Sequence, residues 1–135
     1  MKGMLPVIVI AAACIAGCMS SGLTIVEGSA SGCRTTRHSD YFDCHFSLSQ
    51  PRVLDEGGLM KVVATGRNVS RKSIVVEYRF VWYDADGVEI ASPTSIWIQM
   101  PLGPNAQAQM QQIAPSPEAR SYALSTRFAM GAGRP

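Results

Sequence analysis

Two histidines and the last two of four cysteines crowd into one short stretch: Cys33, His38, Cys44 and His45 fall within thirteen consecutive positions. Thiolate and imidazole are the usual ligands of zinc. The spacing argues against a metal centre. Cys-x4-His-x5-Cys-His lacks the Cys-x2-Cys knuckle, and the adjacent Cys44 and His45 would point apart in an extended strand. We expect a disulfide between Cys33 and Cys44 instead, closing a loop of about a dozen residues and stabilising by roughly 2–3 kcal/mol in the chain-entropy model. A metal site and two free thiols are the other outcomes.

The remaining reactive types form no catalytic set. Asp40 and Asp43 stand near the histidines and serines are plentiful, but no serine is flanked as in a nucleophile elbow. These histidines and aspartates are expected as solvated loop residues. Asp84-Ala85-Asp86-Gly87 opens like a calcium loop, yet it lacks the third acidic ligand and the closing glutamate, so it is expected as a hairpin turn. No Gly-rich phosphate loop is present. No catalysis and no cofactor are expected, apart from a covalent lipid.

That lipid belongs to Cys18. Lys2 is a minimal positive leader, and Leu5 to Ala16 is an apolar run of twelve residues. This is short of the ~20 residues that span a bilayer and within the ~7–15 of a signal-peptide core. The run ends in Ile15-Ala16-Gly17-Cys18, which resembles the lipobox of bacterial lipoproteins. Residues 1–17 then read as a lipoprotein signal peptide, and Cys18 as the acylated residue carrying palmitate-type chains. Each buried methylene stabilises the anchor by ~0.8 kcal/mol, so several chains hold the protein permanently. A plain secretory peptide cleaved elsewhere, or an uncleaved short anchor, are the alternatives. Met19 stands where lipoproteins retained in the inner membrane often carry Asp, so the expected location is the outer membrane, facing the periplasm. Cys14 would leave with the signal peptide, and the even pair Cys33 and Cys44 would remain in an oxidising compartment.

The chain has 135 residues, enough for one domain. Apolar residues make up 47%, sufficient for a packed core. Net charge is +2, or +1 once Lys2 is removed, because 11 basic then face 10 acidic residues. A near-neutral chain has no basic stripe for nucleic acid. Residues 18–32 are rich in Ser and Gly and read as the lipidated cysteine plus a flexible tether, although Thr24 to Glu27 could pair as a short strand. Residues 33–130 are then the folded domain, and 131–135 a loose tail.

Elements that could position a site are strands. Arg34 to Asp43 reads as a polar loop, Cys44 to Leu48 as a weak strand, and Gln50 to Gly58 as a break. Leu59 to Arg67 is a strand followed by a polar turn, Asn68 to Lys72. Ile74, Val76, Tyr78, Phe80 and Trp82 then alternate with Val75, Glu77, Arg79, Val81 and Tyr83. Period-two alternation over ten residues marks a half-buried strand. The first set is assigned to the core and the second to solvent or a partner, with Lys61 and Arg67 flanking its charges. Ser95 to Met100 is a strand with Trp97 opposite Ile96 and Ile98. Gln107 to Ile113 is an exposed edge, and Tyr122 to Phe128 closes the fold with Tyr122, Leu124, Thr126 and Phe128 sharing a face. Six to eight short strands with Gly and Pro turns predict a single Ig-like antiparallel β-sandwich.

The stretch Val76-Glu77-Tyr78-Arg79-Phe80-Val81-Trp82-Tyr83-Asp84, with Asp86-Gly87, Trp97, Gln111 to Ala119 and Arg127, resembles the YcfL-like family of small bacterial lipoproteins. The resemblance covers about half the chain and implies an Ig-like sandwich held in the periplasm by lipid. It implies no activity. The segment Cys33 to Cys44 departs from the family pattern. The expected function is therefore a lipid-anchored, non-enzymatic interaction module, an accessory subunit or regulator of an envelope assembly. Candidate partner-binding residues are Val75, Glu77, Arg79, Val81, Tyr83 and Trp97. The alternative is a periplasmic lipoprotein that binds peptidoglycan or a small molecule.

Overall fold

A computed structural model describes residues 22–130. The expected signal peptide, Cys18 and the C-terminal tail lie outside these residues. The described chain runs β1 (Thr24–Ser29), β2 (Gly32–Arg37), α1 (Asp40–Asp43), β3 (Phe46–Leu48), β4 (Arg52–Glu56), β5 (Leu59–Asn68), β6 (Ile74–Tyr83), β7 (Glu89–Ile90), β8 (Ile98–Leu102), β9 (Gln107–Ile113) and β10 (Ser121–Phe128).

All strand pairs are antiparallel. The larger sheet has the order β2-β1-β10-β6-β7, with β8 also on β6. Because β10 pairs along Val76 to Tyr83 on one side of β6, β7 and β8 share the other. The smaller sheet places β5 between β9 and the pair β3 and β4. The sandwich is thus as expected, but with ten strands rather than six to eight. Two edges are each broken into two runs, by Ser49 to Pro51 and by the segment between Ile90 and Ile98, and such interruptions leave no mark in a short alternating pattern.

The two sheets bury one face each. Val62, Ala64 and Met110 from the smaller sheet meet Ile74, Val76, Phe80, Trp82, Tyr122 and Leu124 from the larger, with Phe42 of α1 and Phe46 of β3 at one end. The assignment of alternate β6 residues to the core holds for Ile74, Val76, Phe80 and Trp82, and Tyr78 is half-buried. Burial pushes the Tyr78 phenol pKa up. Phe46 lies over Gly66, where any added Cβ would collide with its ring.

Several expectations need correction. Thr24–Ser29, assigned to the tether, is an interior strand hydrogen-bonded to both β2 and β10, so the folded domain begins before Cys33. Arg34 to Asp43 is β2 and a short helix, not a loop. Ser39 starts that helix: its Oγ accepts from Phe42 N at 3.4 Å. Gln50 to Gly58 is no break either. β4 pairs with β5 down to Glu56 opposite Leu59, and the two-residue turn has positive φ at both Gly57 (61°) and Gly58 (85°), the conformation that matches strand twist.

The disulfide is also overturned. Cys33 and Cys44 are both free thiols. Cys33 pairs opposite Gly28 at one end of β1, whereas Thr24 at the other end donates to Asp43, next to Cys44. Four strand residues separate these ends by about 13 Å, and a disulfide needs Cα atoms within about 7 Å. The extended β2 carries the two thiols apart.

Finally, β5 and β6 do not pair. Each has an apolar face, and the Asn68 to Lys72 connection carries the chain from one sheet to the other so that these faces stack. Asn68 is fully buried and pins the crossing. Its Nδ2 donates to the carbonyls of Lys72 (2.7 Å), Leu102 (3.1 Å) and Gly103 (3.0 Å), and its Oδ1 accepts from Ser70 N and Oγ. Lys61 therefore does not flank Glu77. It pairs with Glu56 at 3.0 Å, and Arg67 lies exposed on the other sheet.

Candidate functional site: the outer face of the larger sheet

The six candidate residues do share one face, but that face is not simply open. Glu77 and Val81 are only 5% and 7% exposed, while Val75, Arg79, Tyr83 and Trp97 are half-buried. Register explains the arrangement. Glu77 lies opposite Arg127 of β10, Arg79 opposite Ser125, and Val81 opposite Ala123. Trp97 precedes β8, whose Ile98 pairs with Tyr78, so the next step of the ladder sets Trp97 beside Arg79.

The Glu77 carboxylate is paired with Arg127, and Trp97 stacks on that arginine and on Arg79. Arg127 Nε donates to Glu77 Oε1 at 2.5 Å. The Arg127 guanidinium carbon stands 3.7 Å from the centre of the Trp97 ring, and that of Arg79 4.9 Å from it. The indole reaches across β6 and meets cations from two strands. Each such contact contributes about 0.5–2 kcal/mol, most where water is excluded. Glu77 neutralises one arginine. Arg79 has no carboxylate partner among the described residues, and its buried Nε has no hydrogen-bond acceptor there.

Ile96, the chain neighbour of Trp97, is 58% exposed, and Val88, at the turn after β6, is 60% exposed. Tyr83 stands at the far end of the strand. Its phenol pKa is raised, first by burial and then by Glu89 and Glu27, against an opposing pull from Arg79. At neutral pH it is a neutral hydroxyl, able to donate and accept.

The other chemistry-bearing residues are used for structure. His38 brings Nε2 to Asp40 (2.8 Å) and Nδ1 to Asp43 (2.5 Å), and Asp43 also accepts from Thr24. His38 and Asp40 are solvent-exposed as expected, while the half-buried Asp43 links the end of β2 to α1 and β1. The Cys44 thiol donates to Tyr41 O at 3.1 Å, and the His45 ring packs beside Tyr41 and Phe128. Among the described residues, no three metal-type ligands converge. Asp84 Oδ1 accepts from Asp86 N and Val88 N, both at 2.9 Å, and Gly87 has φ 78°, so this segment is the expected turn. β9 pairs with β5 alone, so the glutamine-rich stretch is an edge as read.

A cleft of 720 Å³ beside β2 is lined by Glu27, Cys33, Arg34, Tyr83 and Tyr122 among others. Tyr122 is buried, and its Oη lies against the Cys33 side chain. It lies over Gly28, where an added Cβ would sit 2.5 Å from the phenol oxygen and 2.7 Å from Cys33 Cβ. Burial and the neighbouring Cys33 push the phenol pKa up to about 12.

Sequence reasoning did not assign Arg127 to the site. Arg127 had a local signal: Tyr122, Leu124, Thr126 and Phe128 point inward, so Arg127 points out. Its position against Glu77 depends on β10 pairing with β6, across about fifty residues of chain.

The fold and this face define an immunoglobulin-like β-sandwich that carries a stacked arginine–tryptophan cluster on its larger sheet. The family model described as "Protein of unknown function (DUF1425)" matches residues 34–128, and the chain belongs to that family. Among solved structures it is similar to a DUF1425 family member from Shewanella sp. pv-4. The two share 21% identity, the match covers 84% of this chain and 94% of that one, and the TM-score is 0.59. A match to Campylobacter jejuni cj0090 has 13% identity, covers 70% and 93% of the two chains, and has a TM-score of 0.49. No curated protein matches.

Proposed function

We propose that this protein is a lipid-anchored, periplasmic interaction module, without catalytic activity, that docks on another envelope protein through the outer face of its larger sheet. Within its family we group it with the YcfL-like lipoproteins, on the Tyr78 to Asp84 stretch and the lipobox at Cys18. The partner would be a subunit of an envelope assembly, and the anchor an acylated Cys18 in the outer membrane.

The observation that carries this reading is the Trp97 cluster. Tryptophan and arginine are the residues most often found as binding anchors, and here one indole holds two guanidiniums in place. Arg79 brings a cation without a carboxylate, a fit for an acidic side chain or a chain terminus. Holding the arginines against the ring lowers the entropy lost on binding. The test is photo-crosslinking in cells, with the probe at Val75, Tyr83 and Trp97 in turn and mass spectrometry of the adducts. A discrete protein adduct that weakens in Arg79→Ala is the expected result. Absence of an adduct at all three sites counts against docking on this face.

A ligand-binding reading has its own support in the cleft beside β2, which Glu27, Cys33, Arg34, Tyr83 and Tyr122 line. Peptidoglycan fragments or a small polar molecule would be its ligands. Protection of the Cys33 thiol by muropeptides would favour it.

A further inference from the structure

We infer that the chain self-associates through β9, two copies pairing antiparallel about a two-fold axis and joining their smaller sheets into one. This concerns a different surface from the docking face and does not rest on it.

Free strand edges expose unpaired amides and carbonyls, and proteins blunt them with charge, proline or brevity. Here the other edge strands are blunted in these ways. β2 carries Arg34 and Arg37, β4 carries Arg52, Asp55 and Glu56, and β8 contains Pro101, while β3 and β7 are three and two residues long. β9 has seven residues, and the chain carries no charge from Gly103 to Ala114.

The ladder shows what this edge offers. Ala114 N donates to Met60 O, and Asn68 N donates to Ala106 O. Antiparallel pairs alternate between bonded and non-bonded, so the even-numbered residues of β9 exchange bonds with β5. The amides and carbonyls of Gln107, Gln109, Gln111 and Ile113 therefore point to the open side. The side chains of these four residues are exposed.

A two-fold axis at Met110 sets Gln109 opposite the partner's Gln111, and Gln107 opposite the partner's Ile113. Every one of these residues has its backbone groups facing outward, so the hydrogen bonds fall in register. Each glutamine amide both donates and accepts, so Gln109 and the partner's Gln111 satisfy one another. An isologous contact brings the same patch to both sides. A charged edge would meet its own sign there, whereas this neutral, amide-bearing edge complements itself.

The test is sedimentation velocity of the full chain in detergent, across micromolar concentrations. Wild type is expected as a dimer. The variant Gln109→Lys/Gln111→Lys sets lysine against lysine and is expected as a monomer, its dissociation constant raised about tenfold or more. The altered side chains are exposed and their amides take no part in the β9–β5 ladder, so an unchanged melting curve is expected. Mixing that variant with Gln109→Glu/Gln111→Glu should restore the dimer. A monomeric wild type overturns the inference, as does a dimer that survives both lysines or a mixture that stays monomeric.

Discussion

At the scale of residues, the outer face turns on one buried carboxylate. Arg127→Ala would leave Glu77 desolvated without its cation. Breaking a buried pair from one side costs about 3–5 kcal/mol, and because Arg127 is partly exposed we expect about 2 kcal/mol, read as a lower urea midpoint. Asn68→Ala removes the group that satisfies three carbonyls and a serine, and should cost roughly 2–4 kcal/mol in the same assay. The phenol of Tyr122 supplies a pH dependence. Its folded pKa, about 12, lies above the ordinary tyrosine value, so the folded state keeps a proton that the unfolded state loses. Its contribution is complete below about pH 10 and falls as pH rises toward 12, by up to ~2 kcal/mol. Denaturation at alkaline pH should show this loss, with a smaller slope in Tyr122→Phe. Inward and outward sides of β6 were legible from alternation, because alternation is a local property. That Glu77 is buried and paired was not, since its partner Arg127 arrives from β10.

At the scale of elements, the β4–β5 hairpin shows how a clear signal can be misread. Asp55, Glu56 and the glycine pair look like a break because they are polar and flexible. A Gly-Gly pair between two strands is also the chemistry of a turn with two positive φ values. Gly58→Val forces a β-branched residue into that region and should cost about 1–2 kcal/mol, whereas Gly57→Asn should leave the melting temperature nearly unchanged. The same tension between composition and pairing hid β1. Ser and Gly around Thr24-Ile25-Val26-Glu27 suggest a tether, but strands on both sides supply the hydrogen bonds that this short segment could not hold alone.

For the whole molecule, the domain closes by stacking β5 on β6 across sheets, and the proposed lipid anchor at Cys18 lies outside it. Cys18→Ala is therefore expected to move the protein from the membrane fraction to the soluble fraction, and to abolish palmitate labelling, while leaving the melting curve of the domain intact. Retention of the label in that variant would refute lipidation at Cys18.

The sequence by itself determined the β class, the strong strands from Leu59 onward, the Asp84 to Gly87 turn and the edge position of the glutamines. These follow from period-two patterning and turn chemistry, which act between near neighbours. Only the tertiary structure decided that β10 and β8 flank β6 on its two sides, which places Arg127 on Glu77 and both arginines on Trp97. It also decided that Cys33 and Cys44 are held at opposite ends of β1. Both facts depend on long-range strand order, chosen by which apolar faces stack and which edges meet, and no local pattern records that choice.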